Sequence, residues 1–171
     1  MTEEQDYLLK YRDLISRVDP EIDKAAKQHQ ARLRCAPGCS SCCTISSVLP
    51  LEATQLRQAI KQLDGQVKMM VRDQADEAAC PLLADGLCVV YSSRPLICRT
   101  HGLPIAYVDY ERQAIEVSAC PVNFAEDYDF DQDELFFIDP FNGELARLNE
   151  EYCVSLGISG TLRVPMRDLL E

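Results

Sequence analysis

The sequence predicts a mainly helical fold with small β hairpins, arranged as a single compact cysteine-rich domain. Three observations support this: apolar residues recur at helical spacing in several segments, pairs of short β-prone stretches flank turn sequences, and 9 of the 171 residues are cysteine. A hydrophobic content of 47% over this length is typical of one globular domain, so we expect residues 1–171 to fold as one unit.

The N-terminal region has the spacing of two consecutive helices. Between Tyr7 and Val18 the apolar residues recur at steps of three and four, the period of an amphipathic helix. Asp19 and Pro20 then provide a capping residue followed by a proline, a pair that often begins a helix. We therefore expect the first helix to end near Val18 and a second to run from Pro20 to Leu33.

Three more helices are predicted further along the chain, over residues 56–63, 67–75 and 145–156. The last is closed by Gly157 and carries Cys153 on or near its apolar face, which predicts a buried core thiol. We expect the first and last helices to pack as the outer layers of the domain.

Between these helices the sequence favours short β elements. Asp85–Gly86 is a turn sequence between two short apolar segments, and the β-prone runs 105–110 and 114–117 surround a polar turn, so we expect two hairpins. The acidic stretch 126–134 is predicted to be a solvated loop.

Composition excludes several function classes. The first six residues lack the basic and apolar regions of an export signal, which predicts a cytoplasmic protein, and no apolar run approaches the roughly 18 residues of a membrane span. A formal charge of -11 without clustered Lys and Arg argues against nonspecific nucleic-acid binding. We expect a monomer or small oligomer that meets a protein or redox partner, with no membrane or nucleic acid involved.

Eight cysteines stand in loop-like surroundings, beside turn residues or proline. A reducing cytosol and an odd cysteine count disfavour a disulfide framework, whereas soft thiolates suit zinc or an iron-sulfur cluster. The candidate metal ligands are Cys35, Cys39, Cys42, Cys43, Cys80, Cys88, Cys98 and Cys120.

The adjacent pair Cys42–Cys43 is informative about how these ligands are shared. Neighbouring side chains diverge, so the two thiols are expected to serve different sites, and eight ligands suffice for two four-thiolate sites. We expect two or three thiols of the 35–43 loop to combine with Cys80, Cys88 or Cys98. The CxxxCxxC spacing also matches radical S-adenosylmethionine enzymes, but the aromatic residue before the third cysteine and the partial barrel are missing.

The chain resembles the YkgJ-like cysteine-cluster family, a bacterial family of zinc- or iron-chelating domains. The resemblance covers about residues 35–121 and rests on CxxxCxxCC at 35–43, CPLL-x3-GxC at 80–88, VYSSRPLICR at 90–99 and CP at 120–121. It implies that the eight candidate cysteines are the metal ligands and that Cys153 is an additional thiol. A related cysteine module resembles part of bacterial flagellin lysine methylases, which are longer than this chain.

Three functions remain open at the level of sequence. We favour a 4Fe-4S cluster with an electron-transfer, sensing or accessory role, because CxxxCxxC with distant cysteines differs from the paired CxxC knuckles of zinc sites. Zinc is the alternative or an additional metal, in an interaction module with up to two four-cysteine sites. A thiol redox enzyme using Cys42 and Cys43 is the third. No nucleotide loop or nucleophile elbow indicates another enzymatic activity.

Two kinds of polar residue accompany the cysteines. Arg34, Arg94 and Arg99 flank them in sequence, either to offset the charge of a thiolate site or as ordinary surface charges. His101 follows Cys98 by three residues and could reach the edge of a site, although a hydrogen-bonding role is favoured.

Overall fold

The computed structural model describes residues 2–73, 79–125 and 128–171. It confirms a mainly helical fold with small β sheets. The helices in these residues are α1 (Glu3–Gln28), α2 (Pro50–Lys61), α3 (Gly65–Arg72), α4 (Leu96–Thr100) and α5 (Asp139–Leu156). The predicted helix 67–75 extends into residues 74 and 75, which lie outside the described part of the chain.

The prediction of two N-terminal helices is wrong, because α1 continues through Pro20. Its buried side chains, which include Leu14, Val18 and Ala25, keep helical spacing on both sides of the proline. Burial of this continuous stripe outweighs the hydrogen bond that proline cannot donate. Asp19 caps no helix, and its carboxylate instead accepts a hydrogen bond from Arg99 Nη1 at 2.8 Å.

Replacing Pro20 by alanine is expected to stabilise the protein. Pro20 is exposed inside α1, so alanine restores a backbone donor without changing the core, and the free energy of unfolding should rise by about 1–3 kcal/mol. Urea unfolding measures the change, with exposed Glu21→Ala in the same helix as the control. A destabilised Pro20→Ala variant would contradict this prediction.

The strands form three small sheets in the described residues. The two expected hairpins are confirmed: one has positive φ angles at both Asp85 and Gly86, and the longer one pairs Ile105 with Ser118 at its open end. The strands are β1 (Ser47–Val48), β2 (Leu83–Ala84), β3 (Leu87–Cys88), β4 (Ile105–Asp109), β5 (Ala114–Ser118), β6 (Phe136–Phe137) and β7 (Val164–Pro165).

Two strand pairings and one helix are absent from the sequence prediction. β1 pairs antiparallel with β7, with Val48 opposite Val164, and β6 joins β4 in parallel. Residues 96–100 form α4 within a segment for which only β elements were expected. Each of these elements spans at most five residues, too few to show a diagnostic hydrophobic period.

Two apolar cores are separated by α2. The larger core joins α1, α5, α4 and the sheet of β4 and β6, and it includes Leu51 from one face of α2. The smaller core takes Leu56 and Ile60 from the other face of α2 and packs them against Leu82, Val90 and residues near β7. The cysteine-bearing segment 80–90 therefore lies on the smaller core.

The first and last helices pack directly against each other, and α1 meets α5 across the larger core, to which Leu14 and Leu148 contribute. None of the helices in the described residues has the length and apolar character to cross a membrane.

The acidic stretch 126–134, predicted to be a solvated loop, is exposed at 131–133 but packs against the domain at Tyr128 and Phe130; residues 126 and 127 lie outside the described part of the chain. Tyr128 and Phe130 pack with Phe124 and buried His29 in an aromatic cluster, with ring centroids of Phe124 and His29 5.1 Å apart. His29 Nε2 donates to the carbonyl oxygen of Glu134 at 2.7 Å, since that carbonyl can only accept. This cluster fixes the chain just after Cys120.

Candidate metal centre

The 35–43 loop is irregular, as its composition predicts, and two tight turns shape it. Cys39 N–H donates to Ala36 O and Cys43 N–H donates to Ser40 O, both at 2.9 Å. Gly38 has a φ of +94°, which favours glycine over residues with a side chain. The loop is joined to the next cysteine segment because Cys80 N–H donates to Cys43 O at 2.8 Å.

Four neighbouring thiols, which we call the inner set, include two that pack against the smaller core, Cys80 and Cys88; the other two are Cys43 and Cys98. Burial raises the pKa of the Cys98 thiol to about 12, and its neighbours Cys80, Cys88 and Cys43 contribute to the rise. Each of the four thiols is half-buried. The structure thus brings together residues from a loop, a hairpin and α4.

Backbone donors face two of these sulfurs. Burial raises the pKa of both the Cys80 and Cys88 thiols, and hydrogen bonds from the backbone of Leu82 and Val90 oppose that rise. In each case the donor lies two residues after the cysteine, at the start or end of the β2–β3 hairpin. Such bonds stabilise a thiolate over a thiol, as metal ligation requires.

We call the remaining thiols the outer set: Cys35 and Cys39 are exposed, and Cys42 and Cys120 are half-buried. Burial is the main cause that raises the pKa of the Cys42 thiol to about 11. The neighbouring thiols Cys43, Cys120 and Cys35 raise it further. Cys42 and Cys43 are in mutual contact, but Cys43 has Cys80, Cys88 and Cys39 as further neighbours, whereas Cys42 has Cys120 and Cys35. Cys39 is exposed on the same loop.

The side chains do not form a finished coordination sphere in the part of the chain that the structure describes. No group of three or more Cys, His, Asp or Glu side chains is close enough there to hold a metal ion directly. The donor chemistry nevertheless fits zinc or an iron-sulfur cluster, because two groups of thiols with N–H donors meet there. Rotation about a single side-chain bond moves a sulfur between staggered positions.

The three arginines that flank the cysteines have different roles. The guanidinium carbon of Arg94 lies 3.7 Å from the centroid of the Tyr91 ring, and Arg94 Nη1 donates to Cys98 O at 3.3 Å. This cation therefore lies beside the inner set. The Arg99 guanidinium is largely buried, in an ion pair with Asp19. The Arg34 guanidinium donates to Ala31 O and is not tied to a thiol by that bond.

His101 ends α4 near the inner set. Burial lowers its pKa, and the nearby Arg94 lowers it further, which keeps the imidazole neutral near pH 7. Arg94 also acts on Cys88, so the histidine and that thiol share one cationic neighbour.

Sequence reasoning missed Glu52, a buried carboxylate that positions α4. Its Oε1 accepts from Leu96 N–H at 3.0 Å and its Oε2 accepts from Leu49 N–H at 3.3 Å. It is 4% exposed, and burial raises its pKa while the two backbone bonds oppose the rise. The available signal was its position three residues after Leu49, the residue that precedes α2. A glutamate at this position often accepts a hydrogen bond from the backbone N–H of the residue before the helix.

Sequence reasoning also missed Asn123, which is 9% exposed and sits between the outer set and α4. Its Nδ2 donates to Gly102 O at 2.7 Å and lies 3.4 Å from Cys35 Sγ. Nothing in the spacing of the cysteines points to this asparagine. By contrast, Cys153 is fully buried on α5, as helical periodicity predicted.

Comparison with known proteins identifies the cysteine region. A family model described as "CxxCxxCC: Putative zinc- or iron-chelating domain" matches residues 34–121, about half of the chain. In this chain three residues separate the first two cysteines, Cys35 and Cys39, where the family name has two. No curated protein and no solved structure matches the chain. The match confirms the resemblance drawn from the cysteine pattern, and the chain belongs to this family of zinc- or iron-chelating, metal-binding domains.

Proposed function

We propose that the protein carries a 4Fe-4S cluster on the inner set and a zinc ion on the outer set, and that it serves in electron transfer or sensing. The observation that carries this proposal is the separation of neighbours at Cys42 and Cys43, which divides the thiols into two groups. Cys39 has Cys43 as a neighbour, and we assign it to the outer set as its fourth thiol because it is exposed and the inner set already has four.

The surroundings of the inner set favour the cluster there. Cys80 and Cys88 pack against the smaller apolar core, and backbone N–H groups of Leu82 and Val90 face their sulfurs. A four-thiolate cubane has a net charge of about -2, which N–H donors and the Arg94 cation help to offset. A cluster with four protein ligands supplies one-electron chemistry and leaves no iron open to substrate.

The outer set favours zinc, because its thiols include exposed Cys35 and Cys39 on a short loop. A structural zinc ion would join this loop to the Cys120 turn, which is distant in sequence. A net charge of -11 predicts that a redox partner docks through a basic surface.

Two zinc ions are the second candidate. The hydrogen bonds from Leu82 and Val90 to cysteines two residues earlier also suit a zinc site, where backbone donors orient thiolates. The thiol redox enzyme is disfavoured, because such enzymes need a thiol of lowered pKa, and burial raises the pKa of Cys42 to about 11.

Metal analysis separates these functions. Untagged protein, purified without oxygen, should contain about four irons and about one zinc per chain by plasma mass spectrometry. The protein should be brown, and dithionite should bleach its visible absorption. About two zincs with negligible iron would contradict the cluster and leave the zinc module.

A further inference from the structure

We propose that Asn123 is a positioning residue of the outer metal site. Asn123 fixes Cys35 and Cys120 relative to each other and donates a hydrogen bond to the Cys35 thiolate. The inference rests on the proposed function, since it assumes that the outer set binds a metal ion. Asn123 follows the matched region 34–121, so the family match does not include it.

The contacts of Asn123 join three segments of the chain. Its Oδ1 accepts from Arg34 N–H at 2.8 Å, and its Nδ2 donates to Gly102 O at 2.7 Å, which fixes the amide orientation. Its own backbone N–H donates to Cys120 O at 2.9 Å. One buried residue therefore connects the start of the cysteine loop, the end of α4 and the Cys120 turn.

The amide also contacts the sulfur. Asn123 Nδ2 lies 3.4 Å from Cys35 Sγ, a hydrogen-bonding distance for sulfur. A primary amide has two N–H donors, one for Gly102 O and one for this sulfur, so both are used. An N–H donor favours a metal-bound thiolate over a free thiol, because it stabilises the charge on sulfur.

Gly102 makes the close approach possible. Its φ is +98°, and a Cβ at this position would lie 2.7 Å from Cys35 Sγ and 3.4 Å from Asn123 Nδ2. The backbone is therefore open at the point where the amide and the thiol meet.

The first test replaces Asn123 by aspartate, which keeps the acceptor for Arg34 N–H but removes both donors. We expect the zinc affinity of the outer set to fall by about 10–100-fold, as is typical when a partner of a metal ligand is removed, while inner-set iron is unchanged. In protein with cobalt in the outer set, the thiolate-to-metal charge-transfer band should shift. Unchanged zinc affinity and an unchanged band would overturn the inference.

Asn149 provides a matched control. It is 1% exposed, and like Asn123 it accepts from a backbone N–H, that of Leu51, and donates to a carbonyl, that of Gly160. Asn149→Asp should destabilise the fold without changing zinc affinity. An equal loss of zinc affinity in both variants would mean that general destabilisation explains the effect, and would overturn the inference.

A second test uses the unmodified chain. Outer-set zinc is replaced by a magnetically active cadmium isotope, and NMR should detect scalar coupling between cadmium and the Asn123 side-chain amide through the N–H···S bond. A four-thiolate cadmium signal without this coupling would overturn the role of Asn123 alone. Absence of a cadmium signal from the outer set would overturn the proposed outer site as well.

Discussion

Replacing Cys98 by serine is expected to remove the iron that we propose for the inner set and to cause the largest loss of stability of any single substitution considered. Burial raises the pKa of the Cys98 thiol to about 12, and it lies among the other three inner thiols, so serine would supply a poor ligand at the centre of the group. Metal bound to four thiolates can contribute about 10 kcal/mol to folding, so its loss should lower the unfolding midpoint severely.

The matched control is Cys153→Ala. Cys153 is also buried, but it lies on α5 and belongs to neither thiol set, so this variant should keep the proposed iron and lose about 1 kcal/mol of stability. Iron per chain, the visible spectrum and thermal unfolding are measured for both variants. Cys98→Ser with a full complement of iron would contradict its place in the inner set.

Glu52→Ala is expected to have the second largest effect. Alanine leaves two backbone donors without partners, the N–H groups of Leu49 and Leu96, and each unpaired buried donor costs about 1–3 kcal/mol. The total loss in the free energy of unfolding should be about 3–5 kcal/mol. Because Leu96 begins α4, which carries Cys98, iron binding should weaken as well.

Glu52→Gln distinguishes the effect of losing the carboxylate's two acceptors from the effect of losing the side-chain volume. Glutamine keeps the size and one acceptor, but its NH₂ group would face one of the two backbone donors, so we expect about half the loss of the alanine variant. Urea unfolding gives the stability and plasma mass spectrometry the iron. If alanine and glutamine variants both match the original protein, Glu52 does not hold α4 in place.

Local sequence patterns were sufficient for much of the fold. The spacing of apolar residues predicts helices α2 and α5, and turn residues such as Asp85 and Gly86 predict both hairpins. These signals act within a few residues of the chain. The continuity of α1 through Pro20 did not follow, since it depends on packing against α5 rather than on the local preference of proline.

The candidate site was predictable only in its residue types. The cysteine pattern identified eight candidate ligands, but their grouping depends on contacts between distant segments, such as the bond between Cys80 and Cys43. Glu52 and Asn123 act through backbone groups far from them in sequence, and a single buried polar residue has no periodic signal. Three-dimensional structure was needed to find them.

The pairing of β1 with β7 brings residues made late in synthesis beside the proposed metal region. Met166 N–H donates to Ser46 O at 2.8 Å, and Met166 and Leu169 complete the smaller core beneath the inner thiols. A ribosome makes the chain from its N-terminus, so Cys98 leaves the exit tunnel well before these residues do. We therefore expect the proposed metal site to load stably only after residues 164–169 have been released, with its thiols kept reduced on the nascent chain until then.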